Sequence, residues 1–177
     1  MEVTMNDIKK LREMTGAGLA DCKKALAESE DMDGAVAYLR KKGQAVAAKR
    51  SDREASEGCV LVKAENGFGA IIALKCETDF VANNADFVAL TQEILDAAVA
   101  NKCKTLDEVK ALPMGSGNVQ DAVTERSGIT GEKMELDGYC VIEGENIATY
   151  NHMNRNSLCT MLALSKSVED ATVGKNI

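Results

Sequence analysis

Apolar residues recur at helical spacing through the first fifty positions, then give way to alternating and continuous apolar runs. Thr4-x-x-Asp7 has the form of a capping box, and Met5, Ile8, Leu11 and Met14 follow it at steps of three, predicting a first helix with those four residues on one face. Gly16 and Gly18 end it. A second helix is expected over about 19–28, burying Cys22, Ala25 and Leu26 while most of its charges fall elsewhere. Asp31 or Asp33 caps a third, in which Ala35, Val36 and Leu39 continue the apolar stripe. Arg40-Lys41-Lys42-Gly43 then leads into an Ala-rich extension toward Arg50. Residues 1–50 thus read as a three-helix module. The polar stretch at 51–57 reads as a linker.

From 58 onward the period changes. Cys59-Val60-Leu61-Val62 and Ala70-Ile71-Ile72-Ala73-Leu74 flank Asn66-Gly67, a pair that supplies the positive φ angles of a two-residue type I′ turn. Strands are therefore expected near 58–65 and 68–76. Asn83 or Asn84 caps a long helix carrying Phe87, Leu90, Ile94, Leu95 and Val99 inward. Thr105-x-x-Glu108 is a second capping box, for a short helix that Pro113 ends. Gly115-Ser116-Gly117 reads as loop, and a further helix is expected over 119–126. Three extended runs follow at 134–142, 147–150 and 158–164, and Ser167-Val168-Glu169-Asp170 opens a last helical stretch. The fold class is α+β: an N-terminal three-helix module (1–50), a linker (51–57) and an antiparallel sheet with helices (58–177).

Charge narrows the choice of partners. Residues 1–50 carry a net +2 and residues 51–177 a net −9, which leaves the chain at −7. An acidic body repels nucleic acid, and the short basic run Arg40-Lys41-Lys42 with Lys49-Arg50 does not reverse that, so no direct nucleic-acid contact is expected. No segment approaches the roughly 20 consecutive apolar residues of a membrane span, and the N-terminus lacks a signal-peptide pattern. A soluble, cytoplasmic protein with no membrane contact is expected.

The chemistry-bearing residues are sparse. Six cysteines are scattered without a CxxC pair and away in sequence from the lone histidine, His152, so they read as reduced core thiols rather than as a metal or redox set. Gly16-Ala17-Gly18 lies between helices and lacks the strand and the Lys-Ser/Thr of a phosphate loop, which leaves an interhelical turn. A Cys76 or Cys159 nucleophile with His152 as base has no local signature for an orienting group or an oxyanion site. No metal and no cofactor is expected. Phe80, following Asp79 at a strand-to-helix junction, falls by periodicity among the core residues.

Two long motifs alter that last reading. Thr15-Gly16-Ala17-Gly18-Leu19-Ala20-Asp21-Cys22-Lys23-Lys24-Ala25-Leu26 and Cys76-Glu77-Thr78-Asp79-Phe80-Val81-Ala82 together resemble the bacterial elongation factor Ts family, in that family's order and spacing. Leu39-Arg40-Lys41-Lys42-Gly43, Leu95-Asp96-Ala97-Ala98-Val99-Ala100 and Tyr150-Asn151-His152 extend the resemblance. It loosens between about 102 and 134, and Leu19-Ala20 stands where some members carry paired methionines. The family continues past the point matching Ile177, so the chain reads as one lacking the C-terminal part.

The resemblance implies a guanine nucleotide exchange factor acting on elongation factor Tu in translation, without chemical turnover. It implies a UBA-like head docked on the GTPase, and an Asp-Phe loop that enters a helix–helix cleft and disturbs the Mg²⁺ site. Thr78, Asp79, Phe80 and Val81 would form that loop, with Phe80 the wedge and Asp79 its polar companion. Leu19, Ala20 and Lys23 would contact the partner from the head and His152 from the Tyr-x-His motif. Ile129 and Gly131 carry over through an alignment shifted by one residue. Self-association into a homodimer stays open. Two readings of other classes compete: an adaptor using its head like a ubiquitin-associated domain, which leaves the Thr-Asp-Phe loop idle, and a cysteine hydrolase.

Overall fold

The structure is a computed structural model that describes residues 3–168 and 172–176. It divides into two compact units, one of Met1–Arg53 with Thr124–Lys133, the other of Glu54–Val123 with Met134–Ile177.

The first unit contains α1 (Met5–Thr15), α2 (Leu19–Ala27) and α3 (Met32–Ala48). Thr4 and Asp7 form a complete capping box, with Thr4 Oγ1 accepting from the Asp7 N–H and the Asp7 carboxylate accepting from the Thr4 N–H at 3.1 Å. Gly16 ends α1 at φ 70°, a left-handed position that glycine adopts without a Cβ penalty, and donates its N–H to the Arg12 carbonyl. Asp31, not Asp33, caps α3 by accepting from the Gly34 N–H at 2.7 Å.

Ile8, Leu11, Ala17, Cys22, Ala25, Leu26, Ala35 and Leu39 form the core of this unit. The expected four-residue stripe on α1 is only half right: Ile8 and Leu11 are buried, whereas Met5 and Met14 are exposed. A step of three falls about 60° short of a full helical turn, so four such positions spread well beyond one contact face. The C-terminal half of α7 (Val119–Thr130) also belongs here, within the range that the sequence pattern assigns to the sheet. Gly128 crosses α3 at Gly43, so closely that a Cβ on Gly128 would lie 2.1 Å from the Gly43 Cα.

The second unit is built on β1 (Glu57–Glu65), β2 (Phe68–Cys76) and β5 (Glu135–Glu143), an antiparallel sheet ordered β1-β2-β5. Asn66 and Gly67, at φ 51° and 76°, make the type I′ turn between β1 and β2. Alternation sends Cys59 and Leu61 of β1, and Phe68, Ala70, Ile72, Leu74 and Cys76 of β2, into the core. α5 (Ala85–Ala100) covers that face with Phe87, Leu90, Ile94, Leu95 and Ala98, and Asn84 caps it by accepting from the Asp86 and Phe87 N–H groups.

Between α5 and β5 lie α6 (Leu106–Ala111), capped by Thr105, and a short ladder of β3 (Pro113–Met114) with β4 (Gly117–Asn118). The Gly115 loop is thus the turn of a two-residue hairpin rather than open loop. β6 (Asn146–Asn151) and β7 (Cys159–Leu164) pair as a separate antiparallel hairpin. The helix expected to open at 167–170 is absent at Ser167 and Val168, which are irregular, while 169–171 lie outside the described residues; a short helix, α8 (Val173–Asn176), comes after them.

All six cysteines are free; five are buried and Cys140, on β5, is exposed, a departure from the core reading for that residue. Desolvation pushes the Cys59 thiol up to about 11 and the Tyr139 phenol up to about 12. Tyr139 donates its hydroxyl hydrogen to the Cys103 carbonyl at 2.8 Å. Above the ordinary thiol value of 9.0, the unfolded chain loses the Cys59 proton while the folded chain keeps it. Unfolding then releases a proton, so stability falls as pH rises from 9 toward 11, and Tyr139 adds a loss in the same direction between its ordinary 10.0 and about 12. Urea unfolding midpoints measured from pH 8 upward should decline across this window, and Tyr139→Phe should flatten its upper part.

Candidate functional site

The end of β2 delivers the chain to a single helical turn, α4 (Asp79–Ala82). Thr78 has extended φ and ψ, and its side chain accepts from the Val81 N–H at 3.4 Å, which makes it the N-cap. The Asp79 carbonyl accepts from the Asn83 N–H at 3.0 Å and from the Asn83 side-chain amide at 2.8 Å, closing the turn at its other end. Ala82 is buried, and Val81 packs against the sheet core. Thr78 is half-buried and Asp79 exposed.

This anchoring turns the opposite side of the turn outward. Phe80 is 85% exposed, the most exposed large apolar side chain among the described residues. The periodicity reading that put Phe80 in the core is therefore corrected. A one-turn helix anchored through Val81 and Ala82 has no second face to bury the residue before them. The other two phenylalanines, Phe68 and Phe87, are fully buried.

On α2, Leu19, Ala20 and Lys23 are all exposed, Leu19 at 48%. Lys23 lies four residues on from Leu19 and three on from Ala20, so the three adjoin on the helix surface, to one side of the buried Cys22, Ala25 and Leu26. Asp21 beside them pairs with Lys42 of α3. Ile129 is half-buried in the same unit, its Cδ1 within 3.9 Å of the position a Cβ on Gly16 would take. Gly131 adopts φ 74° next to the Arg50 guanidinium. Leu19, Ala20, Lys23, Ile129 and Gly131 thus belong to the helical unit, and Thr78–Val81 and His152 to the sheet unit.

His152 is exposed just after β6. The Tyr150 hydroxyl shares a hydrogen bond with its Nδ1 at 3.1 Å, and the two rings meet edge to face with centroids 5.8 Å apart. Among the described residues no group of three or more His, Cys, Asp or Glu is placed to hold a metal, and no helix is long and apolar enough to cross a membrane.

The family model for elongation factor Ts matches residues 77–177, beginning one residue before Thr78. The chain belongs to the elongation factor Ts family. The elongation factor Ts of Bacteroides fragilis is 74% identical over 171 residues, covering 96% of this chain and 52% of the relative. That of Parabacteroides distasonis is 71% identical over 172 residues, covering 97% and 52%, and that of Porphyromonas gingivalis 54% identical over 171 residues, covering 96% and 62%. The chain spans about half the length of the first two of these relatives. Helical periodicity carried no sign of the outward Phe80, whereas the Thr-Asp-Phe motif did. The run Met153 to Ser157, with its left-handed Met153, Asn154 and Asn156, went unread.

Proposed function

We propose that this chain binds elongation factor Tu and promotes release of its GDP during translation elongation, acting in the cytoplasm as an exchange factor without chemical turnover and without a cofactor of its own. The observation that carries this reading is the bare Phe80 ring on a capped and anchored helical turn, in a chain of the elongation factor Ts family.

An exchange factor works by binding the nucleotide-free GTPase more tightly than the nucleotide-bound one. Linkage then weakens nucleotide binding by the same factor. In this reading Phe80 enters a cleft of the GTPase, Asp79 accompanies it as an exposed carboxylate, and Thr78 and Val81 hold the turn that presents them. The disturbance reaches the GTPase's Mg²⁺ site. Burying one phenylalanine supplies roughly 1.5–3 kcal/mol, too little for the whole effect. The remainder comes from the helical head of residues 1–50, docked through Leu19, Ala20 and Lys23, with Ile129, Gly131 and His152 as further contacts. The segment 51–57 joins the head to a core domain proposed over 58–177, of which Thr124–Lys133 groups with the helical unit.

The reading is tested with elongation factor Tu loaded with fluorescent GDP. Adding this protein should accelerate GDP release in a stopped-flow trace, with a rate that saturates as its concentration rises. A pull-down from a bacterial lysate should recover the GTPase. An unchanged release rate together with no recovery refutes the reading.

A further inference from the structure

The loop between β6 and β7 holds a methionine in a conformation that methionine disfavours. Met153 has φ 53° and ψ 16°, the left-handed region, yet it has neither the freedom of glycine nor the local hydrogen bonding that lets asparagine rest there. Its neighbours in that region, Asn154 at φ 53° and Asn156 at φ 56°, are of the tolerant type. Burial does not compensate Met153, since its side chain is 64% exposed.

The surrounding bonds over-determine this shape. The Asn151 side-chain amide donates to Asn156 Oδ1 at 2.6 Å, and the Asn156 N–H donates back to Asn151 Oδ1 at 3.2 Å. The Asn156 carbonyl accepts from the Val60 N–H of β1 at 2.6 Å, which ties the loop to the sheet. The His152 N–H donates to the Leu158 carbonyl at 2.9 Å, and the Arg155 N–H to the His152 carbonyl at 3.1 Å. Beside Met153 is an open depression of about 360 Å³, lined by Thr149, Tyr150, Asn151, Met153 and Asn154. A strained backbone kept by its surroundings, with an exposed apolar side chain at the strained position, marks a group held out for contact.

We propose that Met153 is a second apolar contact to the GTPase, held in place by the Asn151–Asn156 amide pair. This rests on the exchange reading above, in which the adjacent His152 faces the same partner. Asn156 is a positioning residue, acting through the loop it braces.

The test uses Met153→Gly and Met153→Leu in the GDP-release assay, with thermal unfolding alongside. Glycine relieves the left-handed strain, so Met153→Gly should unfold at the same temperature as the parent or higher. The concentration of Met153→Gly giving half-maximal release should nevertheless rise about tenfold, the loss expected when an apolar side chain leaves an interface, with the maximal rate unchanged. Met153→Leu, which keeps an apolar side chain, should stay near the parent. A lower unfolding temperature for Met153→Gly would make the residue structural and overturn the proposal, as would a half-maximal concentration equal to the parent's. Equal losses in both variants would also overturn it. If the parent protein itself fails to accelerate release, the exchange reading falls and takes this proposal with it, whereas an active parent with an unaffected Met153→Gly removes only the proposal.

Discussion

Under the exchange reading, Phe80→Ala should slow GDP release from elongation factor Tu by about tenfold or more at a fixed sub-saturating concentration, while this protein's own unfolding temperature stays the same. The two halves of this expectation share one cause. At 85% exposure the ring makes little contact within its own fold, so truncating it falls in the class of surface substitutions that change stability by about 0.5 kcal/mol or less. Any burial it achieves comes from a partner. Phe87→Ala, at a fully buried position on α5, should behave in the opposite way and cost about 3–5 kcal/mol of stability. Stopped-flow release of fluorescent GDP, with circular dichroism as the folding control, reads both. Unchanged release with Phe80→Ala removes the ring from the mechanism, and a large fall in unfolding temperature would mean that it supports its own fold.

Gly128→Ala should destabilise the helical unit by about 1–3 kcal/mol, whereas Gly43→Ala should leave it unchanged or more stable. The two glycines face each other where α7 crosses α3, but their Cβ directions differ. A methyl group on Gly128 would be placed 2.1 Å from the Gly43 Cα, against backbone that cannot swing aside. A methyl group on Gly43 would meet the Gly128 Cα at 3.5 Å, an ordinary contact. Alanine favours a helix interior over glycine by about 1 kcal/mol, so at Gly43 nothing opposes the gain, and at Gly128 the clash exceeds it. Thermal unfolding of the two variants side by side checks the asymmetry. Equal effects would mean that the helices do not cross at this separation.

Much of this architecture was legible in local chemistry. Asn66-Gly67 permits few turns other than the one observed, and the capping boxes at Thr4 and Thr105 form because their partners lie three residues on. β2 is apolar almost throughout, so its sequence announces a strand but not which residues point inward; the pleat and the covering α5 decide that. What escaped depends on long-range packing. The three-residue step from Met5 to Met14 drifts too far for all four residues to share one contact face, but only packing against the neighbouring helices decides that Ile8 and Leu11 are the two kept inside. The close crossing of Gly43 and Gly128 joins residues distant in sequence, and α7 has only a weak apolar stripe to announce it. In the candidate site, the placement of Phe80 was readable from its motif and misread from its period. The strain at Met153 had no sequence signal, because methionine seldom marks a left-handed turn.

A ring left bare on every molecule also bears on how copies of the protein meet one another. An unpaired aromatic is adhesive, and two such surfaces would bury each other if they came together. The net charge of −7 opposes that encounter through mutual repulsion. Since the Debye length shrinks from about 10 Å at 0.1 M salt to about 3 Å at 1 M, that protection weakens as salt rises. The feature proposed to engage a partner thus also leaves this protein's colloidal behaviour dependent on ionic strength.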